Sequence, residues 1–208
     1  FYMLKKIYRK LLKKRITWNV AYQFTNSWRE VSFRKSEIIK NPTNGFIADP
    51  FLFKFKSKNF CFVEQYDFET QKGHISVYEI NDFGNKHIGT ALKDDFHFSY
   101  PYIFENNNEI YMCPETSEMR DIRLYRCIDF PLKWELEKTL MKDVSAVDSN
   151  IFKFNKKWWM LTNIDSSDSR EHCSELHLFY SDNLKSNWKP HPLNPIIFDS
   201  RTARNGGM

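Results

Sequence analysis

Apolar residues along this chain fall in short bursts, and clusters of Asn, Asp, Ser and Lys separate one burst from the next. Short bursts bounded by turn residues are typical of β-strands. The pattern differs at the start, where apolar residues from Leu4 to Leu12 have the spacing of one helical face. The sequence therefore predicts a short amphipathic helix over residues 1–15 and an all-β domain over residues 16–208.

The strand pattern repeats with a period of about 50 residues. Successive units open with "DPFLF" from Asp49, "YPYIF" from Tyr100 and "DSNIF" from Asp148. A second apolar burst follows each opening and ends, in chain order, at Glu64, Glu115 and Thr162. A third burst places Tyr78, Tyr125 and Phe179 at matching positions. Four strands in each unit follow from this spacing.

Units of four strands repeating at this period are the signature of a β-propeller, in which each blade packs against its neighbours around a central channel. A β-sandwich with chance spacing is the alternative. Three units are too few to close a ring, since propellers have about four to eight blades. The next opening falls near Asn205, and strands in residues 15–35 could complete a final blade. We therefore expect an incomplete propeller, with the remaining blades or a downstream domain outside these 208 residues.

Composition agrees with one soluble domain, because 41% of the residues are hydrophobic and 17% are aromatic. The net charge of +5 is local: residues 5–15 hold seven cations, so the rest of the chain carries 5 − 7 = −2. The basic helix either docks on its own domain or, through residues 4–15, lies on an anionic membrane surface. Nucleic acid is not an expected partner, because no recognition motif accompanies the charge.

The four cysteines, Cys61, Cys113, Cys127 and Cys173, have no C-x-x-C spacing. They are expected to be reduced, structural thiols, and neither a metal nor another cofactor is indicated. The first fifteen residues lack the apolar middle and the cleavage site of a secretory signal. The sequence thus predicts a cytoplasmic protein, with peripheral membrane contact as the open alternative.

In a propeller the first strand of each blade lines the channel, so the residues that open these strands converge on one mouth. Asp49 and Asp148 would then face each other although they lie far apart in sequence. Paired carboxyl groups in a shared, partly desolvated space suit the acid and base steps of glycoside chemistry. An aspartate that caps a turn before its proline is the plain structural alternative for Asp49.

The stretches "ADPFLF", "SYPYIFENNNEIYMCPET" and "VDSNIFKFNKKWWML", together with "LFYSDNLKSNWKPHPLNPI", resemble the N-terminal domain of glucosamine inositolphosphorylceramide transferase-like proteins. The resemblance runs from about Trp18 to the end of the chain. That family is similar to the five-bladed furanosidase-type propellers of family 43 glycoside hydrolases. The resemblance therefore implies a five-bladed β-propeller, of which this chain holds about three blades.

The resemblance also implies roles for individual residues. Family 43 enzymes place an Asp base on the first blade, an Asp that modulates pKa values on a middle blade, and a Glu acid on the next. Asp49 matches the base and Asp148 matches the modulator. The acid is expected where the fourth unit opens, but "RNGGM" holds no carboxyl group. Glu115, reaching the mouth from a loop, and Glu64 at the equivalent offset are the candidates for that role.

A second set of residues is expected to bind the substrate. Glu64 and Tyr100 belong to it by their positions in the repeat, and His97 immediately precedes the second opening. Arg201 and Arg204 in "SRTARN" suit a phosphate or carboxylate carried by a sugar. A satisfied structural histidine and ordinary surface arginines are the alternatives for the last three.

Two functions follow from these expectations. The first is a carbohydrate-active domain that hydrolyses or transfers a glycosidic bond in polysaccharide or glycolipid metabolism. The second is a non-catalytic glycan-binding or scaffold module attached to a downstream transferase domain, and the missing acid favours it. Whether the domain is an enzyme stays open at this point.

Overall fold

The structure is a computed structural model, and it describes residues 17–169 and 171–206. The helix expected over residues 1–15 lies outside the described residues. Among those that are described, no helix is both long and apolar enough to cross a membrane. The three helical segments of this part are short 3-10 turns, at Trp28–Glu30, Phe33–Lys35 and Ser117–Met119.

The described residues form one two-stranded ribbon and three larger antiparallel sheets. The ribbon pairs β1 (Val20–Tyr22) with β2 (Glu37–Ile39). Blade 1 consists of β3 (Gly45–Phe55), β4 (Lys58–Asp67), β5 (Lys72–Asn81) and β6 (Gly84–Leu92). Blade 2 consists of β7 (Ser99–Asn106), β8 (Glu109–Thr116), β9 (Asp121–Asp129) and β10 (Lys133–Lys142). Blade 3 consists of β11 (Ala146–Phe154), β12 (Lys157–Ile164), β13 (Glu175–Ser181) and β14 (Lys189–Pro190), and β15 (Ile197–Phe198) also pairs with β13.

Each blade is a meander in which consecutive strands are neighbours, and the first strand of each blade lies at an edge of its sheet. The strands β3, β7 and β11 also lie against one another in chain order, β3 beside β7 and β7 beside β11. The first strands therefore gather on one side of the assembly, as the repeat predicts for strands that line a channel. The three blades are not closed into a ring by the described residues.

The first hairpin of every blade has the same two-residue turn. Both central residues have positive φ in the pairs Lys56 and Ser57, Asn107 and Asn108, and Asn155 and Lys156. Two positive φ values are the mark of a type I′ turn, whose twist matches that of the flanking strands. The polar clusters that separate the apolar bursts thus become tight turns.

The strand registers match the three-unit repeat. Tyr78, Tyr125 and Phe179 lie opposite Cys61, Met112 and Met160, respectively. Those three partners each follow a unit opening by the same interval, from 49 to 61, from 100 to 112 and from 148 to 160. The expected superposition of the third strands is therefore confirmed.

The repeat predicted one position in the second strand of blade 3 wrongly, by one residue. Thr162 was expected to match Glu64 and Glu115, but those residues pair with Ala48 and Ser99, and the equivalent residue Val147 pairs with Asn163. Alternate residues of a strand face opposite sides. Thr162 consequently points into the blade, where its hydroxyl donates to the carbonyl of Val147 at 2.9 Å.

The central strands are buried on both faces, which explains their nearly continuous apolar sequences. In β4, Phe60 and Phe62 pack in the layer between blades 1 and 2, while Cys61 and Val63 pack against the ribbon. A third layer, between blades 2 and 3, includes Tyr111. The second-strand aromatics Phe62, Tyr111 and Trp158 are buried in these layers. All four cysteines are free thiols, as expected.

Candidate functional site

Asp49, Tyr100 and Asp148 have the same unusual backbone conformation. Their φ angles are 47°, 47° and 53°, in the left-handed region that residues other than glycine rarely occupy. The pairing register shifts at each of them, between Ala48 and Phe51 in blade 1 and at the matching places in blades 2 and 3. A β-bulge re-aims the side chain at which it occurs, and such strain of about 1–3 kcal/mol per residue clusters at functional sites.

The second strands bring two further carboxyl groups to the level of the bulges. Glu64 and Glu115 lie opposite the residues that immediately precede Asp49 and Tyr100. The electrostatic influence of the four carboxyl groups on one another shows that they share one region. Glu115 reaches it from within strand β8 rather than from a loop, because that strand continues to Thr116.

Asp148 is buried and is held between a cation and an acid. The Nε atom of Arg204 lies 2.5 Å from its Oδ2 atom, and Glu115 also hydrogen-bonds its side chain. Burial raises the pKa of Asp148 to about 6, although Arg204 opposes the rise. Burial and the nearby charge of Asp148 together raise the pKa of Glu115 to about 7. Glu115 is therefore the member of this pair with the higher pKa.

Glu64 is also buried, and it contacts His97. Burial, followed by the charges of Asp49 and Glu115, raises the pKa of Glu64 to about 8. The Nε2 atom of His97 lies 3.3 Å from Oε1 of Glu64, and its Nδ1 atom accepts the backbone N–H of Gly73 at 2.9 Å. Since Nδ1 accepts, the neutral imidazole carries its proton on Nε2, the atom that faces Glu64. Burial lowers the pKa of His97, which favours this neutral form.

Asp49 is less enclosed than the other carboxyl groups. Burial raises its pKa, while the backbone N–H of Tyr100 and the charges of Arg204 and His97 oppose that rise. Asp49 is half-buried, and it lines two cavities that meet at Asp49 and Pro50. Their volumes are about 730 Å³ on the side of Tyr100 and about 400 Å³ on the side of Trp18. Ligands of the site can therefore reach Asp49 from either side.

Tyr100 and Arg201 take places other than those of free substrate-binding side chains. The ring of Tyr100 is buried against Phe51, and its hydroxyl donates to Oδ1 of Asn150 at 3.0 Å. Tyr100 thus supports the site from the core and through its backbone amide. The guanidinium of Arg201 makes a two-bond pair with Asp199, and its side chain is 86% exposed.

Asn205, at the expected opening of a fourth unit, lies beside the opening of blade 3. Its side chain donates to the carbonyl of Asp148 at 2.6 Å and accepts from Asn150 at 3.0 Å. Its backbone N–H donates to Oδ1 of Asn163 at 2.7 Å. These bonds hold Arg204, the preceding residue, over Asp148. An amide thus stands where a family 43 enzyme was expected to have its acid.

The assembled site contains four carboxyl groups whose pKa values are raised, and groups with shifted pKa values are what general acid and base catalysis requires. Within the described part of the chain, no group of three or more His, Cys, Asp and Glu side chains is arranged to hold a metal ion. Sequence reasoning identified all four carboxyl groups but missed the pairing of Arg204 with Asp148. Trp18, which precedes β1 and lines the smaller cavity beside Asp49, was also missed.

Solved structures with a similar fold include glycoside hydrolases. An exo-β-1,3-galactanase from Clostridium thermocellum superposes with a TM-score of 0.59 over 71% of this chain and 36% of its own, at 14% identity. A thermostable family-43 glycoside hydrolase superposes with a TM-score of 0.56 over 73% of this chain and 56% of its own, at 13% identity. The protein thus has the fold of the five-bladed family 43 propellers, incomplete in this chain.

The family is defined more closely by sequence. The family model described as glucosamine inositolphosphorylceramide transferase 1, N-terminal, matches residues 17–208, and the chain belongs to this family. Glucosamine inositolphosphorylceramide transferase 1 of Oryza sativa subsp. japonica is 38% identical over 170 residues, which is 80% of this chain. The protein of the same name from Arabidopsis thaliana is 36% identical over the same share of this chain. The matched segment spans only 23% and 22% of these relatives, respectively.

Proposed function

We propose that this domain acts on a sugar-containing substrate at the mouth formed by the blade openings, where it breaks or forms a glycosidic bond. One observation carries this proposal: four carboxyl groups with raised pKa values converge in one partly desolvated space. They belong to Asp49, Glu64, Glu115 and Asp148. Membership of a family named for a sugar transferase and a fold shared with glycoside hydrolases support it at the level of carbohydrate chemistry.

In this mechanism Glu115 is the general acid and Asp49 is the general base. A pKa of about 7 lets Glu115 hold a proton that it can donate to the oxygen of the leaving sugar. Asp49 is half-buried and faces both cavities, so it can accept a proton from the attacking water or sugar hydroxyl. Asp148 raises the pKa of Glu115 by its charge and thereby acts as the modulator.

A second candidate is a glycan-binding module that performs no chemistry. Asn205 favours it, because this residue supplies an amide where the acid of family 43 enzymes was expected. The ion pair between Arg204 and Asp148 favours it as well, since it neutralises one carboxylate of the cluster. In this case the hydrogen-bonding groups of the mouth hold a sugar chain while a downstream domain modifies it.

The two candidates predict different results for the variants Asp49→Asn and Glu115→Gln. Binding is measured on an array of oligosaccharides, and turnover is measured by mass spectrometry of the strongest binder with and without added sugar acceptors. An enzyme loses at least about a hundredfold in turnover in each variant and keeps its fold, in line with the usual contribution of general acids and bases. The matched control is Asp82→Asn, which alters an exposed carboxyl group of blade 1.

Binding without turnover in the wild-type protein would select the glycan-binding module. Turnover that persists in Asp49→Asn would refute the assignment of the base. A wild-type protein that neither binds nor converts any oligosaccharide of the array would refute both candidates.

A further inference from the structure

The smaller cavity beside Asp49 combines aromatic and carboxyl side chains. It has a volume of about 400 Å³, and its lining includes Trp18, Phe46, Ala48, Asp49 and Glu64. Ligand sites in proteins are commonly concave and rich in aromatic side chains, with a few polar groups that fix orientation. We call this cavity the Trp18 subsite. Its position next to the candidate base makes its occupant relevant to the chemistry there.

Hydrogen bonds hold the backbone of Trp18 in place, while the residue is 63% exposed. The side-chain amide of Asn41 donates to the carbonyl of Trp18 at 2.8 Å and to Oδ1 of Asn19 at 3.1 Å. The Oδ1 atom of Asn41 in turn accepts the backbone N–H of Ile47 at 3.0 Å. Asn41 thereby fastens the segment before β1 onto β3, two residues from Asp49. These bonds fix the backbone of Trp18, and its indole lines the cavity beside Asp49.

The other side of the subsite belongs to the mouth end of blade 1. Phe46 and Ala48 lie opposite Tyr66 and Glu64, so these four side chains share one face of the sheet. The rings of Phe46 and Tyr66 are stacked, with 5.0 Å between centroids and 15° between planes. Ala48 contributes only a methyl group to the lining of this cavity. A larger side chain at this position would occupy the cavity.

We propose that the Trp18 subsite binds one pyranose ring of the substrate, with the indole of Trp18 stacked on a C–H face of the sugar. This inference rests on the proposed function, because it assigns a position to the substrate of the same site. Asp49 accepts a hydroxyl hydrogen bond from the ring. Glu64 donates one when it is protonated, and it holds its proton at neutral pH.

The cavity on the side of Tyr100 adjoins the Trp18 subsite and suggests the path of a longer sugar chain. Asp49 and Pro50 line both the Trp18 subsite and the cavity on the side of Tyr100. A linear oligosaccharide can therefore pass from one cavity to the other across the carboxyl group of Asp49. The substrate class is then an oligosaccharide of at least two pyranose units, one on each side of the bond that reacts.

The test compares Trp18→Ala with Trp18→Phe in the full 208-residue chain. The probe is the strongest binder of an oligosaccharide array that includes β-1,3-galactotriose, titrated by isothermal calorimetry and by quenching of tryptophan fluorescence. Loss of one aromatic stacking partner is expected to weaken binding by about five- to 150-fold, judged from the effect of such losses on stacked bases. Phenylalanine at position 18 should restore most of the affinity, because it keeps an aromatic face.

The matched control is Trp28→Ala, which removes a tryptophan that is 75% exposed and lies between β1 and β2 instead of beside Asp49. It should leave the dissociation constant unchanged. Ala48→Leu is the second variant, since it fills the cavity without removing an aromatic ring, and it should weaken binding as Trp18→Ala does. Thermal unfolding checks that each variant is folded.

The outcomes separate the two proposals. A wild-type protein that binds no oligosaccharide refutes the proposed function and, with it, this inference. A wild-type protein that binds, together with unchanged affinity in Trp18→Ala and Ala48→Leu, overturns the Trp18 subsite and leaves the proposed function standing. Equal weakening by Trp18→Ala and Trp28→Ala also overturns it, because the effect would then be unrelated to the cavity.

Discussion

Replacing Glu64 by Gln is expected to remove much of the pH dependence of stability between about pH 5 and pH 8.5. Glu64 is buried, and its pKa is raised from an ordinary value of 4.5 to about 8. The folded protein therefore retains a proton that the unfolded chain releases. The resulting stabilisation is complete below pH 4.5, falls steadily above it, and is fully lost once the pH exceeds about 8.

The magnitude follows from the rise in pKa. At about 1.4 kcal/mol for each tenfold change in proton affinity, a rise from 4.5 to about 8 corresponds to at most about 5 kcal/mol. Between about pH 5 and pH 8.5, the free energy of unfolding should fall by about 3–5 kcal/mol less in Glu64→Gln than in the wild-type protein. Gln is a suitable replacement because it has the shape of Glu and keeps a polar oxygen near Nε2 of His97, which lies 3.3 Å from the Glu64 oxygen.

The assay is urea unfolding at about pH 5 and about pH 8.5, monitored by tryptophan fluorescence. The control is Glu69→Gln, which changes an exposed carboxyl group of the same blade and should decline with pH as the wild-type protein does. Glu115 and Asp148 still titrate in the variant, so a residual decline is expected. Equal declines in Glu64→Gln and wild-type protein would refute the reasoning, because the buried proton would then not be on Glu64.

Three further predictions test the ion pair, the turns and the packing of the blades. Arg204→Gln removes the cation 2.5 Å from Asp148, so the pKa of Asp148 should rise above about 6 in an NMR titration, and a lower value would contradict the pairing. Ser57→Gly relieves a φ of 66° in the first hairpin and should raise stability by about 1 kcal/mol in thermal unfolding, whereas Ser57→Ala should bring no gain. Phe62→Ala removes a fully buried ring between blades 1 and 2 and should cost about 3–5 kcal/mol in urea unfolding, so a loss below about 1 kcal/mol would speak against this layer.

The backbone conformation at the blade openings could be predicted only in part from the sequence. The repeat predicted that residues 49, 100 and 148 are equivalent, and they share a left-handed backbone and a register shift. Nothing in the sequence predicts that conformation at Tyr100, because a bulky residue strongly disfavours positive φ. Its ring packs in the core against Phe51, and its hydroxyl donates a hydrogen bond to Asn150. These tertiary contacts hold the backbone in place.

The partners of the two arginines near the end of the chain also could not be predicted from the sequence. Sequence reasoning treated Arg201 and Arg204 alike, since both stand in one polar stretch. In the structure Arg201 pairs with its neighbour Asp199 at the surface, while Arg204 pairs with Asp148 in the site. The difference arises because Asn205 is bonded to the opening of blade 3, which brings the preceding residue over the carboxyl cluster.

The sequence by itself determined the class of fold, the number of complete blades and the residues that open them. It could do so because strand alternation and turn chemistry are local properties that recur with the repeat. Only the tertiary structure decided which charges meet, that the pKa values of Glu64 and Glu115 are raised, and that Trp18 and Asp49 line the same cavity. Proton affinity depends on burial and on neighbours that are distant in sequence, and both exist only once the blades have packed.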